Sequence, residues 1–186
     1  MRHQGTKRLE TERLILRRFA EADAESVFKN WASDPEVTKF LRWKSHTCVE
    51  ESRELLAGCV KRYGEADYYH WAIEERGSDS GAVGYIGVFW SDETVDSVEV
   101  GYSLGRRWQG RGYMSEALMA VIDFLIDEAG ANRVVAAHDP RNAASGGVMK
   151  RCGMKYEGTM RQVDRNNQGI CDLSFYAVLA SDRREF

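Results

Sequence analysis

No apolar run in the 186-residue chain approaches the roughly 20 residues of a membrane-spanning helix. The opening, Met1 to Glu10, is polar and lacks the apolar core of a signal peptide, so the expected compartment is the cytoplasm, with no membrane partner. The four cysteines, Cys48, Cys59, Cys152 and Cys171, are widely scattered and form no C-x-x-C pair. That spacing suits reduced, partly buried thiols better than disulfides or a zinc site, and no metal is expected. A basic surplus is missing too: 26 Lys and Arg against 29 Asp and Glu leave a net charge of −3, which argues against broad electrostatic binding to nucleic acid. Repeats, linkers and low-complexity tracts are absent. A hydrophobic content of 43% at this length suits one filled core, and a single domain is expected over residues 8–182.

The positive charge that bears on function is local. Ser97 to Leu104 alternates like a strand with one buried face, Gly105 to Met114 is a loop rich in Arg and Gly, and a helix is expected to open at Ser115 and stop at Gly130. Strand, loop and helix in that order make an anion cradle. Gly110 and Gly112 let successive backbone N–H groups turn inward, the helix start adds about half a positive charge, and Arg106, Arg107 and Arg111 add more. A phosphate-bearing ligand is therefore expected. Gly105 to Gly110 nearly has the spacing of a nucleotide P-loop, but Arg111 and Gly112 stand where that loop continues with Lys and then Ser or Thr. Without the metal-gripping hydroxyl, hydrolysis of a nucleoside triphosphate does not fit, and a lone Gly-x-Gly is too short for a dinucleotide fingerprint.

The remaining chain supplies a sheet and its covering helices. Leu14 and Leu16 mark a first strand, and Ala22 to Trp31 a short amphipathic helix that Asp34-Pro35 stops. Thr47 and Glu50 have the spacing of a capping box, which predicts a second helix over 50–62, with Phe40 to Trp43 as an exposed loop before it. Strands follow at Tyr69 to Glu74 and Val83 to Trp90, forming an antiparallel meander with Ser97 to Leu104. Leu118, Val121, Ile122 and Leu125 give the next helix an apolar face. Arg133 to Ala137 is a short strand, parallel to Ser97–Leu104 through a right-handed crossover. A helix from Ala143 to Cys152 is weakened by Gly146-Gly147, so tertiary contacts or a ligand must hold it. Two closing strands, Lys155 to Val163 and Ile170 to Leu179, meet at the turn Asn166-Asn167-Gln168-Gly169.

In this β-α-α-β-β-β-α-β-α-β-β frame the chain resembles the GNAT acetyltransferase superfamily over essentially its whole length, and most of all the ribosomal-protein N-acetyltransferase branch. The resemblance is carried by Thr11-Glu12-Arg13-Leu14, Asp34-Pro35-Glu36-Val37, Glu99-Val100-Gly101-Tyr102, Gln109 to Ala117, Asp139 to Ser145 and Glu157 to Arg161. It implies an α/β fold: a single domain with a mixed, mostly antiparallel twisted sheet, split between strands four and five and flanked by helices. It also implies acetyl-CoA as acyl donor, with the pantetheine arm in the split beside the backbone of Tyr102, Ser103 and Leu104. The pyrophosphate would sit on the N–H groups of Gln109, Gly110, Arg111, Gly112, Tyr113 and Met114, where the helix opens at Ser115, and the Asn142 side chain would lie near the thioester. A homodimer is a further implication of the branch.

An attacking amine must lose a proton, since an ordinary alkylamine of pKa about 10.4 is neutral in only one molecule per few thousand at pH 7. Glu99, on the strand facing the acyl group, is the expected base, directly or through a water. Many relatives place a Tyr in the last helix to protonate the leaving thiolate, but this chain has Met149 there, which holds no proton to give. The branch resemblance points to Ser145 instead, with a helix-capping role as its rival; His138 is a lesser candidate. Among the aromatics Phe40, Trp43, Tyr68, Tyr69 and Trp90, the loop of Trp43 is expected to line the acceptor pocket. The expected activity is transfer of an acetyl group to a primary amine, a protein or peptide N-terminus foremost. A small amine such as a polyamine, amino acid or aminoglycoside is the alternative acceptor, and a non-catalytic CoA-binding sensor the alternative function.

Overall fold

A computed structural model of the chain describes residues 1–183. Eight strands form one sheet in the order β1-β2-β3-β4-β5-β6-β8-β7. They are β1 (Leu9–Glu10), β2 (Leu14–Arg17), β3 (His70–Glu75), β4 (Ala82–Asp92), β5 (Ser97–Leu104), β6 (Arg133–His138), β7 (Lys155–Asn166) and β8 (Gly169–Leu179). All neighbours are antiparallel except β5 and β6, the parallel pair predicted from the intervening helix. Alternation along the strands sorts side chains onto two faces. Leu14, Leu16, Trp71, Ile73 and Val98 pack with the helix α4 (Tyr113–Asp123), whose Leu118, Val121 and Ile122 are buried. Ala72 and Tyr85 pack on the opposite side with α1 (Ala24–Val27), the turn that follows it and α3 (Val49–Arg62), through Val27, Trp31 and Leu56 respectively.

The structure corrects several boundaries. The short β1 precedes the strand predicted at Leu14. The first helix is a 3-10 turn (Glu21–Asp23), then α1, then a π segment (Phe28–Ala32). Asp34 ends this stretch and also begins a new helix, α2 (Pro35–Thr38): its carboxylate accepts from the Glu36 N–H at 2.9 Å, and Pro35 takes the first turn, where its missing N–H costs nothing. The predicted capping box does not form, and the N-cap side chain of α3 makes no capping hydrogen bond. Cys48, not Thr47, occupies the N-cap of α3, and Glu51, not Glu50, reaches back to the Thr47 N–H at 2.7 Å. The helix expected at Ser115 opens at Tyr113, and after Asp123 it continues as a π segment (Phe124–Glu128). β7 runs three residues beyond the predicted end at Val163, passing register shifts between Met160 and Asp164, where Gln162 adopts φ 50°. The hairpin turn was placed correctly, with Asn166 paired to Gly169.

Candidate active site

The split in the sheet has a defined starting point. β5 and β6 pair only at Ser97, Val98 and Glu99, opposite Arg133, Val134 and Val135. Beyond Glu99, β5 stays with β4 as far as Leu104, while β6 stays with β8 as far as His138. Among the described residues the β6-facing backbone edge of Val100 to Leu104 therefore has no strand partner. Counted from the strand at Leu14, this is the predicted gap between strands four and five. A cleft of about 350 Å³ lies there, with Glu99 to Tyr102 on one wall and Ala137 to Asp139, Asn142 and Ser145 on the other.

At one end of β5 the chain forms the predicted cradle. A 3-10 turn (Arg106–Trp108) leads to Gly110 at φ 72° and Gly112 at φ 81°, and Gly112 caps α4. A Cβ on Gly110 would meet nothing within 4 Å, so that glycine is required by backbone conformation and not by crowding. The first-turn N–H groups of α4 have no intrahelical acceptor, which leaves them for an anion. The arginines are less free than the sequence implies. Arg106 pairs with Asp34 at 2.6 Å, Arg111 approaches Glu75 at 3.5 Å and lies over the Tyr113 ring, and Arg107 lies over Trp108. The Gln109 side chain donates to the Leu104 carbonyl at 2.8 Å, tying the loop to the strand end where the arm was expected.

Two carboxylates that sequence reasoning missed hold the cradle together. Glu75 accepts from the Tyr113 hydroxyl at 2.5 Å and the Trp108 indole at 3.0 Å; these donors hold its carboxyl below the usual carboxylate range. Glu116 accepts from the Thr11 hydroxyl at 2.6 Å and from the Arg13 backbone and guanidinium, while Arg13 also donates to the Arg111 carbonyl. Thr11 and Arg13, noticed only as a family-like opening, thus brace the helix start from a distant strand. Spacing gives no hint of such contacts, because they join residues about a hundred positions apart.

Nearer the gap, Glu99 is half-buried in the cleft. Burial pushes its carboxyl above the usual range, nearby Asp164 adds to that rise, and Arg42 opposes it. Ser145 does not cap α5 (Ala143–Arg151). That position belongs to Asn142, whose side chain accepts from the Ser145 N–H at 3.4 Å. The Ser145 hydroxyl instead donates to the Tyr102 hydroxyl at 3.1 Å, and Tyr102 in turn donates to the Ser145 carbonyl at 3.1 Å. His138 hydrogen-bonds the Asp139 carbonyl at 2.8 Å through Nδ1 and packs on Tyr176. Met149 is buried in the core, as is Met114 beside the cradle.

The far side of the cleft is a strap, Phe40 to Trp43, expected from the sequence as an exposed loop with Trp43 at the acceptor pocket. In the structure Phe40, Leu41 and Trp43 are half-buried and line the cleft, together with Phe89 and Leu173. Of the other candidate aromatics, Tyr69 is buried against Trp71, whereas Tyr68 and Trp90 line a separate groove. Among the described residues no group of His, Cys, Asp and Glu could hold a metal ion, and no helix is long and apolar enough to cross a membrane.

A glycine-turned anion cradle joined to an open strand edge is the class of site that suits an elongated ligand bearing a phosphate. Comparison with known proteins names the family. A family profile described as an acetyltransferase (GNAT) domain matches residues 13–155, and the chain belongs to that family. It is 29% identical over 180 residues to the uncharacterized N-acetyltransferase p20 of Bacillus licheniformis, covering 96% of this chain and 97% of that protein. It is also 29% identical over 167 residues to the ribosomal protein uS5 alanine N-acetyltransferase of Escherichia coli, covering 81% and 79%. Among solved structures, a GNAT-family acetyltransferase from Bacillus anthracis superposes with a TM-score of 0.82 at 26% identity, covering 94% of this chain and 99% of that one. The chain is an N-acetyltransferase, and acetyl-CoA is its acyl donor.

Proposed function

We propose that the chain acetylates the N-terminal amine of a protein or peptide, with Glu99 as general base and Ser145 as proton donor. The observation that carries this reading is the placement of a desolvated carboxyl, Glu99, where β5 leaves β6, facing Ser145 across one cleft. Acetyl-CoA supplies an activated acyl group on a thiol leaving group. The residues present fit it: the φ-positive glycines and the start of α4 would hold the pyrophosphate, the open edge of Tyr102 to Leu104 would hold the arm, and Asn142 borders the same wall. Glu99 would take one proton from the incoming ammonium so that the neutral amine forms its C–N bond to the acyl carbon; as the C–S bond breaks, the Ser145 hydroxyl, which here donates to Tyr102, would turn to protonate the sulfur and recover its proton from the new amide nitrogen. The uS5 alanine acetyltransferase relative favours a protein α-amine over a small amine. A cytoplasmic location and assembly as a homodimer are further parts of the proposal.

The test is thiol release from acetyl-CoA in the presence of peptides with free or blocked N-termini, beside a panel of polyamines, amino acids and aminoglycosides. Release that requires a free peptide N-terminus supports the reading. Release only with small amines overturns the acceptor, and saturable CoA binding with no release across the panel turns the protein into a sensor.

A further inference from the structure

Two sets of contacts keep the strap over the cleft, one beneath it and one from the opposite wall. Its internal bonds, Leu41 N–H to the Thr38 carbonyl and Thr38 to Ser45 between hydroxyls, shape it without attaching it to the opposite wall. Beneath it Trp43 packs edge-on against Trp31 at 5.9 Å and its side chain hydrogen-bonds Tyr85, while the buried Trp31 indole N–H has no acceptor among the described residues. Attachment comes from the tip of the β7–β8 hairpin. The Asn167 side-chain amide donates to the Thr38 carbonyl at 2.9 Å and the Trp43 carbonyl at 2.8 Å, and its backbone N–H donates to the Leu41 carbonyl at 3.2 Å. Arg42 adds an ion pair with Asp164 on β7 at 2.9 Å. The tip is itself anchored on its other side, because Asn166 donates to buried Asp139 at 2.8 Å and accepts from the Gln168 N–H. Adjacent residues of one turn thus hold both walls of the cleft.

We propose that Asn167 is a positioning residue that fixes the strap as the apolar wall of the acceptor site, and that the site takes primary amines whose amine-bearing carbon carries an apolar or aromatic group. The inference rests on the acetyltransferase reading of this cleft. Its chemistry follows from the lining. Phe40, Leu41, Trp43, Phe89 and Leu173 present carbon, and the carboxylate of Glu99 is left to meet the ammonium. Loss of the strap would remove the apolar wall and leave Glu99 and the acetyl-CoA side in place. Acceptor affinity should therefore fall more than turnover, and more for an apolar acceptor than for one without a side chain.

The experiment compares wild type with Asn167→Ala and Asn167→Asp, using glycinamide, leucinamide and phenylalaninamide as acceptors. Asn167 is exposed, so both variants should fold, which thermal melting checks. Wild type should prefer leucinamide and phenylalaninamide. With two amide hydrogen bonds gone, Asn167→Ala should raise KM for these two about tenfold, with kcat and acetyl-CoA affinity nearly unchanged. Asn167→Asp, isosteric but with acceptors facing two carbonyls, should be at least as impaired. Equal KM values in wild type and variants, or an equal rise for glycinamide, would overturn the positioning role, and a wild-type preference for glycinamide would overturn the substrate class. Absence of wild-type turnover with every acceptor would instead remove the acetyltransferase reading of the cleft, and the inference with it.

Discussion

Gly146 and Gly147 are neighbours in α5, yet a methyl group added to each should have different effects. Both gain the same helix propensity on becoming Ala, about 1 kcal/mol, so that contribution cancels when the two variants are compared. What remains is space. A Cβ on Gly147 would meet only the guanidinium of Arg151, from 3.4 Å outward, and an exposed flexible end can move. A Cβ on Gly146 would fall 2.6 Å from Nε2 of His138 and 2.9 Å from its Cε1. That ring is held by its bond to the Asp139 carbonyl and by Tyr176, so it yields only if β6 or α5 shifts. Overpacking of this kind costs about 1–3 kcal/mol. For a chain of this size 1 kcal/mol moves the melting point by roughly 2–4 °C. Gly147→Ala should therefore melt about 2–4 °C above wild type, and Gly146→Ala roughly 2–12 °C below Gly147→Ala. Gly146→Ala should also lose turnover, since it moves Ser145 and His138 on the cleft wall, while Gly147→Ala keeps it. Calorimetry with a thiol-release assay on the same samples decides. Equal melting points and equal turnover would show that His138 does not depend on a glycine at 146.

Three further outcomes are expected. Glu99→Gln should lower turnover about 10²- to 10⁴-fold at neutral pH and recover as rising pH supplies neutral amine; wild type should show an acid limb above the ordinary carboxylate range, and Arg42→Ala should move that limb higher, all read from kcat/KM against pH. Gly112→Val should weaken acetyl-CoA binding, because a β-branched residue is strained at φ 81° and crowds the cradle, and calorimetric titration of the folded variant measures it. Asp139, held at about 2 by Arg141 and Asn166, should contribute up to about 2 kcal/mol that is fully present above pH 4 and lost as pH falls toward 2; Asp139→Asn should flatten that part of the stability profile in denaturant melts.

Local pattern was enough for the elements whose cause is local. Alternation marked β3, β4 and β5, helical spacing marked α4, and an Asn-Gln turn flanked by strand-like runs marked the β7–β8 hairpin. Errors arose where a neighbour distant in sequence decides. A side-chain cap on α2 could be missed because Asp34-Pro35 ends one helix as naturally as it starts another. β7 passed its predicted end because pairing with β8 resumes after an irregular stretch that includes Gln162, and a residue at φ 50° reads locally as a turn. The site followed the same rule. The glycine cradle is contiguous and legible, whereas Glu75, the Tyr102 to Ser145 contact and the Asn167 bonds to the strap join segments that only the folded sheet brings together.

The split itself shows how a local irregularity becomes a site. Along β4 and β5 the register is regular from Gly84–Leu104 to Val88–Val100 and then jumps, so that Trp90 pairs with Glu99 and Phe89 is left as an extra residue. A bulge bends its strand and increases the local twist. Here it lies opposite the last residue at which β5 still pairs with β6, and beyond that point β6 stays paired with β8. The released residue is then used. Phe89 lines the cleft, and its ring covers Gly101, where a Cβ would sit 3.0 Å from it. Glu99 is thus the last residue on the paired side and the first that the opening exposes. Its backbone is fixed by pairs with Trp90 and Val135 while its carboxyl, half-buried in the cleft, is pushed above the ordinary carboxylate range, the feature on which the proposed role as base rests.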